Sequence, residues 1–193
     1  MTLYARAMPS HLPALPARLR PLLVSAAMLP LLAACQSAPR LPADHDLSGT
    51  ISGEWREDAN LRLNLVGAGF PQTVTNTSNL AQNKLAQPQG GWQYGVDLPA
   101  APNVVGAYQV IAFDDINNDA QYDVGEPFAR NNQFLIFSLQ PGEFAGYKSG
   151  EWLNIPPLKV NRGWNLYDAS LPVGNGNPRS MERLTDYNLH RAP

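Results

Sequence analysis

The chain has 193 residues and a nearly balanced charge, 14 Lys and Arg against 16 Asp and Glu, with one cysteine. The absence of a basic stripe argues against nucleic acid as a partner, and a single cysteine excludes an intrachain disulfide framework. The length suits one domain behind a leader.

Residues 1–34 read as a signal peptide. Arg6, Arg18 and Arg20 form a positive region without acid, and Leu22 to Ala34 is an uncharged apolar run. At about 13 residues it is too short to span a bilayer as a helix and suits a signal core. Met8 is an alternative start within this region. The run ends in Leu32-Ala33-Ala34-Cys35, which resembles the lipobox of bacterial lipoproteins. The resemblance implies that Cys35 becomes the first residue of the mature chain and carries the lipid. More than one hydrocarbon tail would then anchor it stably to the membrane. Gln36 follows in place of Asp, which within the same resemblance implies sorting to the outer membrane. Beyond Cys35 there remain 11 Lys and Arg against 16 Asp and Glu, a formal net of −5.

Residues 35–46 then form the acylated cysteine and a Pro-rich tether, able to hold a domain about 30 Å from the membrane if extended. The domain proper is expected over 47–170. Leu47, Gly49, Ile51, Gly53 and Trp55 alternate with polar residues, as do Leu61, Leu63 and Leu65, and then Trp92, Tyr94, Val96 and Leu98. A period of two marks strands with one buried face. Tyr108 to Phe113 and Phe134 to Leu139 are apolar on both faces, the signature of central strands. Trp152 to Ile155 and Leu158 to Val160 add short strands, and Gln72 to Gly91 reads as a long loop or edge segment. The fold class expected is all-β: an antiparallel β-sandwich of about seven strands. Residues 171–193, rich in Gly, Asn and Pro, are expected as a flexible or short-helical tail.

The most informative stretch is 115–126. Counting Asp115 as position 1, oxygen-bearing side chains fall at 1 (Asp115), 3 (Asn117), 5 (Asp119), 9 (Asp123) and 12 (Glu126), with the Gln121 carbonyl at 7. This is the ligand spacing of a twelve-residue Ca²⁺ loop, broken only where Ala120 replaces the usual Gly at position 6. If that position needs φ > 0, Ala there costs about 1 kcal/mol. The competing reading is an Asp/Asn-rich turn. Five acids between Asp114 and Glu126, with no Lys or Arg among them, favour a cation, and an all-oxygen donor set favours Ca²⁺.

With its flanks, this loop resembles bacterial surface domains of the transthyretin-like (prealbumin-like) type, including calcium-binding adhesin repeats. A core strand, Tyr108 to Phe113, runs into the acidic loop, and Gly125-Glu126-Pro127 closes it. The opening Gly49-Thr50-Ile51-Ser52-Gly53 also looks like the first strand of such domains. The specific part covers about 20 residues, and the resemblance implies a sandwich fold, related in layout to Ig-like domains, with Ca²⁺ held for structural reasons.

Catalysis is not expected. Of the three histidines, His11 leaves with the signal, His45 falls in the tether and His190 near the end, so no base is expected beside a nucleophile. A carboxylate-pair hydrolase built from Glu54, Glu57, Glu143 or Glu151 is a weaker alternative. The remaining choice lies between a calcium-stabilised structural or adhesive module and a module capturing a glycan or envelope protein on exposed aromatics. Trp55, Trp92, Trp152 and Trp164 are the candidates for such a platform, with Trp164 expected to be the most exposed.

Overall fold

A computed structural model describes residues 40–68, 80–151 and 153–192. Among them the chain is all-β, with fourteen strands, one 3₁₀ turn (Pro42–Asp44) and no α-helix. The lipobox and Cys35 lie outside the described residues, as does Trp152.

Two main sheets carry the sandwich. The first holds β1 (Leu47–Ser52), β3 (Gln82–Ala86), β4 (Trp92–Val96) and β14 (Leu189–His190), in the order β14-β1-β4-β3. The second holds β2 (Leu61–Gly67), β5 (Gly106–Asp114), β7 (Gln133–Ser138), β12 (Gly163–Asp168) and β13 (Arg179–Ser180), in the order β13-β12-β7-β5-β2. A short β6 (Phe128–Ala129) also pairs with β5. Two small ribbons complete the set: β8 (Gly142–Phe144) with β11 (Leu158–Val160), and β9 (Tyr147–Ser149) with β10 (Leu153–Ile155). All of these pairs are antiparallel except β1 with β14.

The main core is built from the alternate residues that the sequence pattern picks out. Leu47, Ile51, Tyr94 and Val96 of the first sheet share one cluster with Leu63, Leu65, Val110, Leu135 and Leu166 of the second. The opposite face of the second sheet is also covered, which is why β5 and β7 are apolar on both sides. Phe134, Ile136 and Tyr167 pack with Leu153, Ile155, Leu158 and Val160 of the ribbons. Val66, Ile111 and Phe113 pack with Tyr122, which comes from the acidic loop.

Three expectations change. The expected short strands at 152–155 and 158–160 are present as β10 and β11, and the count rises to fourteen because β8, β9 and the two-residue strands are too short to leave a periodic signal and β12 is set among turn-like residues. The segment 171–193 is neither helical nor loose where it is described: Leu184, Tyr187 and Leu189 are buried, and β14 adds to the first sheet. Burying each such apolar side chain contributes about 1.5–3 kcal/mol, which outweighs the turn-rich composition around it. Finally, the end of the supposed tether is seated on the domain. Arg40 and His45 both bond to Asp97, and Pro42 is buried against β4. Gly95 and Gly49 make these dockings possible. A Cβ on Gly95 would strike the Pro42 carbonyl and the His45 ring, and one on Gly49 the Tyr187 carbonyl.

Candidate metal centre

The acidic loop is the connection between β5 and β6. Strand β5 ends at Asp114, and its pairing with β6 (Ala112 with Ala129, Phe113 with Phe128) brings the loop's two ends together. Asp114 N–H donates to the Pro127 carbonyl at 3.0 Å and Asp115 N–H to the Asn60 carbonyl at 3.0 Å. Tyr122, at position 8, turns inward between Phe113 and Phe128, edge to face with each at 5.8 Å between centroids. Such pairs contribute about 0.5–1.5 kcal/mol beyond their burial, so the loop carries its own apolar anchor.

Within the loop the carboxylates organise the backbone. Asp115 accepts the N–H groups of Asp119 and Ala120, each at 3.1 Å, which wraps positions 5 and 6 around position 1. Ala120 has φ = 65° and Asn118 φ = 60°. Position 6 therefore does take the left-handed turn, and Ala bears it in place of Gly. Glu126 reaches back across the loop, accepting Ile116 N–H on Oε1 and Asp123 N–H on Oε2, both at 2.9 Å. At the tip, Asp119 Oδ1 accepts Gln121 N–H at 2.8 Å. The Asn117 amide donates to both Asp119 (3.2 Å) and Asp123 (2.8 Å).

The loop is not without cations, as its own sequence suggests. Asp114 is fully buried and paired with Arg56, at 2.7 Å from Nε and 3.1 Å from the terminal nitrogen, and accepts Asn60 N–H at 2.9 Å. The Arg56 bond outweighs burial and holds the Asp114 carboxyl below the usual carboxylate range. Asp115, also buried, is bonded to Arg62, whose other nitrogen reaches Asn118 Oδ1 at 2.9 Å. Lys84 stands near the same group, its ammonium pushed down by burial and by Arg62. Arg56, Asn60 and Arg62 come from β2 and the segment before it. Their contribution was invisible in the sequence because it depends on β2 lying beside β5 in register, Leu61 opposite Asp114. The inward Tyr122 had only a partial signal, since Ile116 and Val124 of the same loop are also apolar and stay exposed.

The six candidate ligands thus divide. Asp115 and Glu126 form a buried root, whereas Asn117, Asp119, Gln121 and Asp123 form the tip. Among the described residues, no group of three or more His, Cys, Asp or Glu side chains stands close enough to hold a metal together. The donor chemistry nonetheless fits a hard cation. The four carboxylates offer only oxygen and Gln121 would serve through its backbone carbonyl, but the Asn117 amide has its partly positive NH₂ between two carboxylates.

The other candidates fall as follows. Trp55 and Trp92 are half-buried and meet edge to face at 6.3 Å. Trp164, expected to be the exposed one, lies on β12 between Tyr108 and Phe137, and its indole N–H donates to the Pro99 carbonyl at 2.9 Å. Among the described tryptophans none is a free stacking platform. Glu54, Glu57, Glu143 and Glu151 are exposed. The histidines are better fixed than the sequence suggests. His45 is buried with Nδ1 at 3.1 Å from Asp97, and its Nε2 has no partner. His190 Nδ1 lies 3.1 Å from Ser52 Oγ on the surface, and no carboxylate of the described residues bonds to its ring.

In comparisons with known proteins, no family model, no curated protein and no solved structure matches the chain.

Proposed function

We propose that this chain is a lipid-anchored protein of the bacterial cell envelope whose sandwich is stabilised by one Ca²⁺ in the loop 115–126. It acts as a structural or adhesive module without catalysis. The observation that carries the metal reading is the wrap of positions 5 and 6 onto Asp115, with a left-handed turn at Ala120 and Glu126 folded back across the loop. An ordinary Asx turn needs only a side-chain bond to the backbone two residues on, and none of these three features. Asp115, Asn117, Asp119, Asp123 and Glu126 would hold the ion through side-chain oxygens, and Gln121 through its carbonyl. The ion supplies positive charge where the arginines do not reach, at Asp119 and Asp123. Because the loop joins β5 to β6, binding free energy adds to folding free energy. The membrane reading rests on Leu32-Ala33-Ala34-Cys35 alone.

Thermal melts in Ca²⁺, Mg²⁺ and chelator test the metal. At about 100 times the dissociation constant a ligand stabilises by about 2.7 kcal/mol, which moves Tm by several degrees. A Ca²⁺ shift well above the Mg²⁺ shift is the expected result, and identical melts in all three buffers overturn the reading. Separately, Cys35→Ser is expected to release the protein from membranes; retention of the variant overturns the anchor.

A further inference from the structure

The segment 40–46 is fastened to the domain along its length. Arg40 donates to Asp97 at 2.6 Å, and its carbonyl accepts the Asn83 amide. His45 is 4% exposed, with Nδ1 at 3.1 Å from Asp97. At the other end, Asp46 Oδ2 accepts Leu98 N–H at 3.0 Å, and the Asp46 carbonyl accepts Leu184 N–H at 2.9 Å. Strand alternation tells which side of the sandwich this is. Tyr94 and Val96 of β4 point into the main core, so Gly95 points away from it, and Pro42 and His45 lie directly over Gly95. The segment therefore lies on the outer face of the first sheet. On that face β1, β3 and β4 present Thr50, Ser52, Leu85 and Gln93, all exposed and none charged. Asp97, just past β4, is answered by Arg40, and Asp186 stands at the border beside Thr50 and Gln93.

Reach then limits how the domain can stand on a membrane. Five residue steps lead from Cys35 to Arg40, and even fully extended they span about 17 Å. Packed layers are spaced about 10 Å apart, and behind the first sheet lie the second sheet and then the ribbons. A bilayer touching the ribbons would stand more than about 20 Å from Arg40, beyond that reach. The densest negative charge also lies elsewhere, because the acidic loop belongs to the second sheet. We propose that the outer face of the first sheet is turned towards the lipid headgroups, with Thr50, Leu85 and Gln93 nearest to them. The proposal rests on the lipid anchor at Cys35. Hydroxyl and amide groups can bond to headgroups without the repulsion that anionic lipids impose on an acidic surface. Leu41 (61% exposed) and Leu85 (43% exposed) supply large apolar side chains on the same side. In place of a swinging tether of about 30 Å, the domain has a docked root and one stance.

The test places a thiol-reactive fluorophore on the membrane-bound full chain at Gln93→Cys or, on ribbon strand β11, at Lys159→Cys. Energy transfer to an acceptor-labelled lipid in the same membranes is then measured. Both positions are exposed, so neither change disturbs packing. Transfer from position 93 should exceed that from position 159 about threefold or more, given two layer spacings of about 10 Å between them. Inserting about twenty Gly/Ser residues between Ser37 and Ala38 keeps every bond of the docked segment and lengthens the reach, so it should bring the two sites towards equal transfer. Equal transfer in the chain without the insertion, or stronger transfer from position 159, overturns the proposal. Failure of the anchor itself reads differently. The chain without an added cysteine then takes up label at Cys35 and is recovered off the membrane, and both readings fall together, whereas an acylated Cys35 leaves no thiol to label.

Discussion

The root and the tip of the acidic loop use the same residue types under opposite conditions. At the root, Asp114 and Asp115 are buried and each is met by an arginine from outside the loop. At the tip, Asp119 and Asp123 are exposed and meet only an asparagine amide and backbone N–H groups. A buried carboxylate must have its charge answered inside the protein, whereas an exposed one can leave that to solvent or to an ion. The charges of Asp114 and Asp115 are therefore answered inside the protein, whereas those of Asp119 and Asp123 are met by no arginine or lysine among the described residues.

The largest expected effect breaks the root. Asp114→Ala should cost about 3 kcal/mol in Ca²⁺ and in chelator alike, because Arg56 and the Asn60 N–H lose their buried acceptor. Equal stability of this variant and the parent in chemical denaturation would show that the pair is not holding the loop base. The same pair sets an acid limit. The Asp114 carboxyl titrates lower in the folded chain than in the unfolded one. Its contribution is thus fully present above the ordinary Asp range and is lost as pH falls through the folded value. Asp97 adds to this: burial raises its pKa, but bonds from Arg40 and Asp46 N–H outweigh that and leave it lowered. Stability should fall on acidification below about pH 4, less steeply in Asp114→Asn, as followed by denaturation midpoints across pH.

The next effect sharpens the contrast at the tip. Asp119→Asn with Asp123→Asn should leave stability in chelator unchanged or slightly raised, since like charges are removed. It should also abolish a Ca²⁺ gain of up to about 2.7 kcal/mol at 100-fold saturation. If the double variant keeps the full Ca²⁺ shift, the ion is bound elsewhere. Glu126→Ala should behave as a mixture, weaker in both buffers, because its carboxylate ties down two backbone N–H groups whether or not an ion is present. The smallest effect is a gain. Ala120→Gly should stabilise by about 1 kcal/mol by relieving a residue at φ = 65°, in both buffers. A loss on thermal melting would mean the flexibility that Gly adds to the unfolded chain outweighs the strain.

Much of the fold could be read from residue order. The alternation in β1, β2 and β4 and the two-sided apolar runs of β5 and β7 follow from side-chain period and burial, which are local properties. The spacing of Asp115, Asn117, Asp119, Asp123 and Glu126 is local as well, and so is the need for a left-handed turn at Ala120. The strands that went unread are those whose signal is diluted. Trp164 and Leu166 alternate correctly on β12, but Gly163 and two asparagines around them resemble a turn. Leu184, Tyr187 and Leu189 are too sparse to declare the last segment part of the core.

What the sequence by itself determined is the all-β class, the two-sided centre of the larger sheet and the position of the acidic loop. Only the tertiary structure decided which of the loop's charges are already answered. The arginines that meet Asp114 and Asp115 stand more than 50 residues earlier in the chain. They arrive because β2 pairs with β5, and the strength of an ion pair depends on distance and burial, which sequence separation does not report.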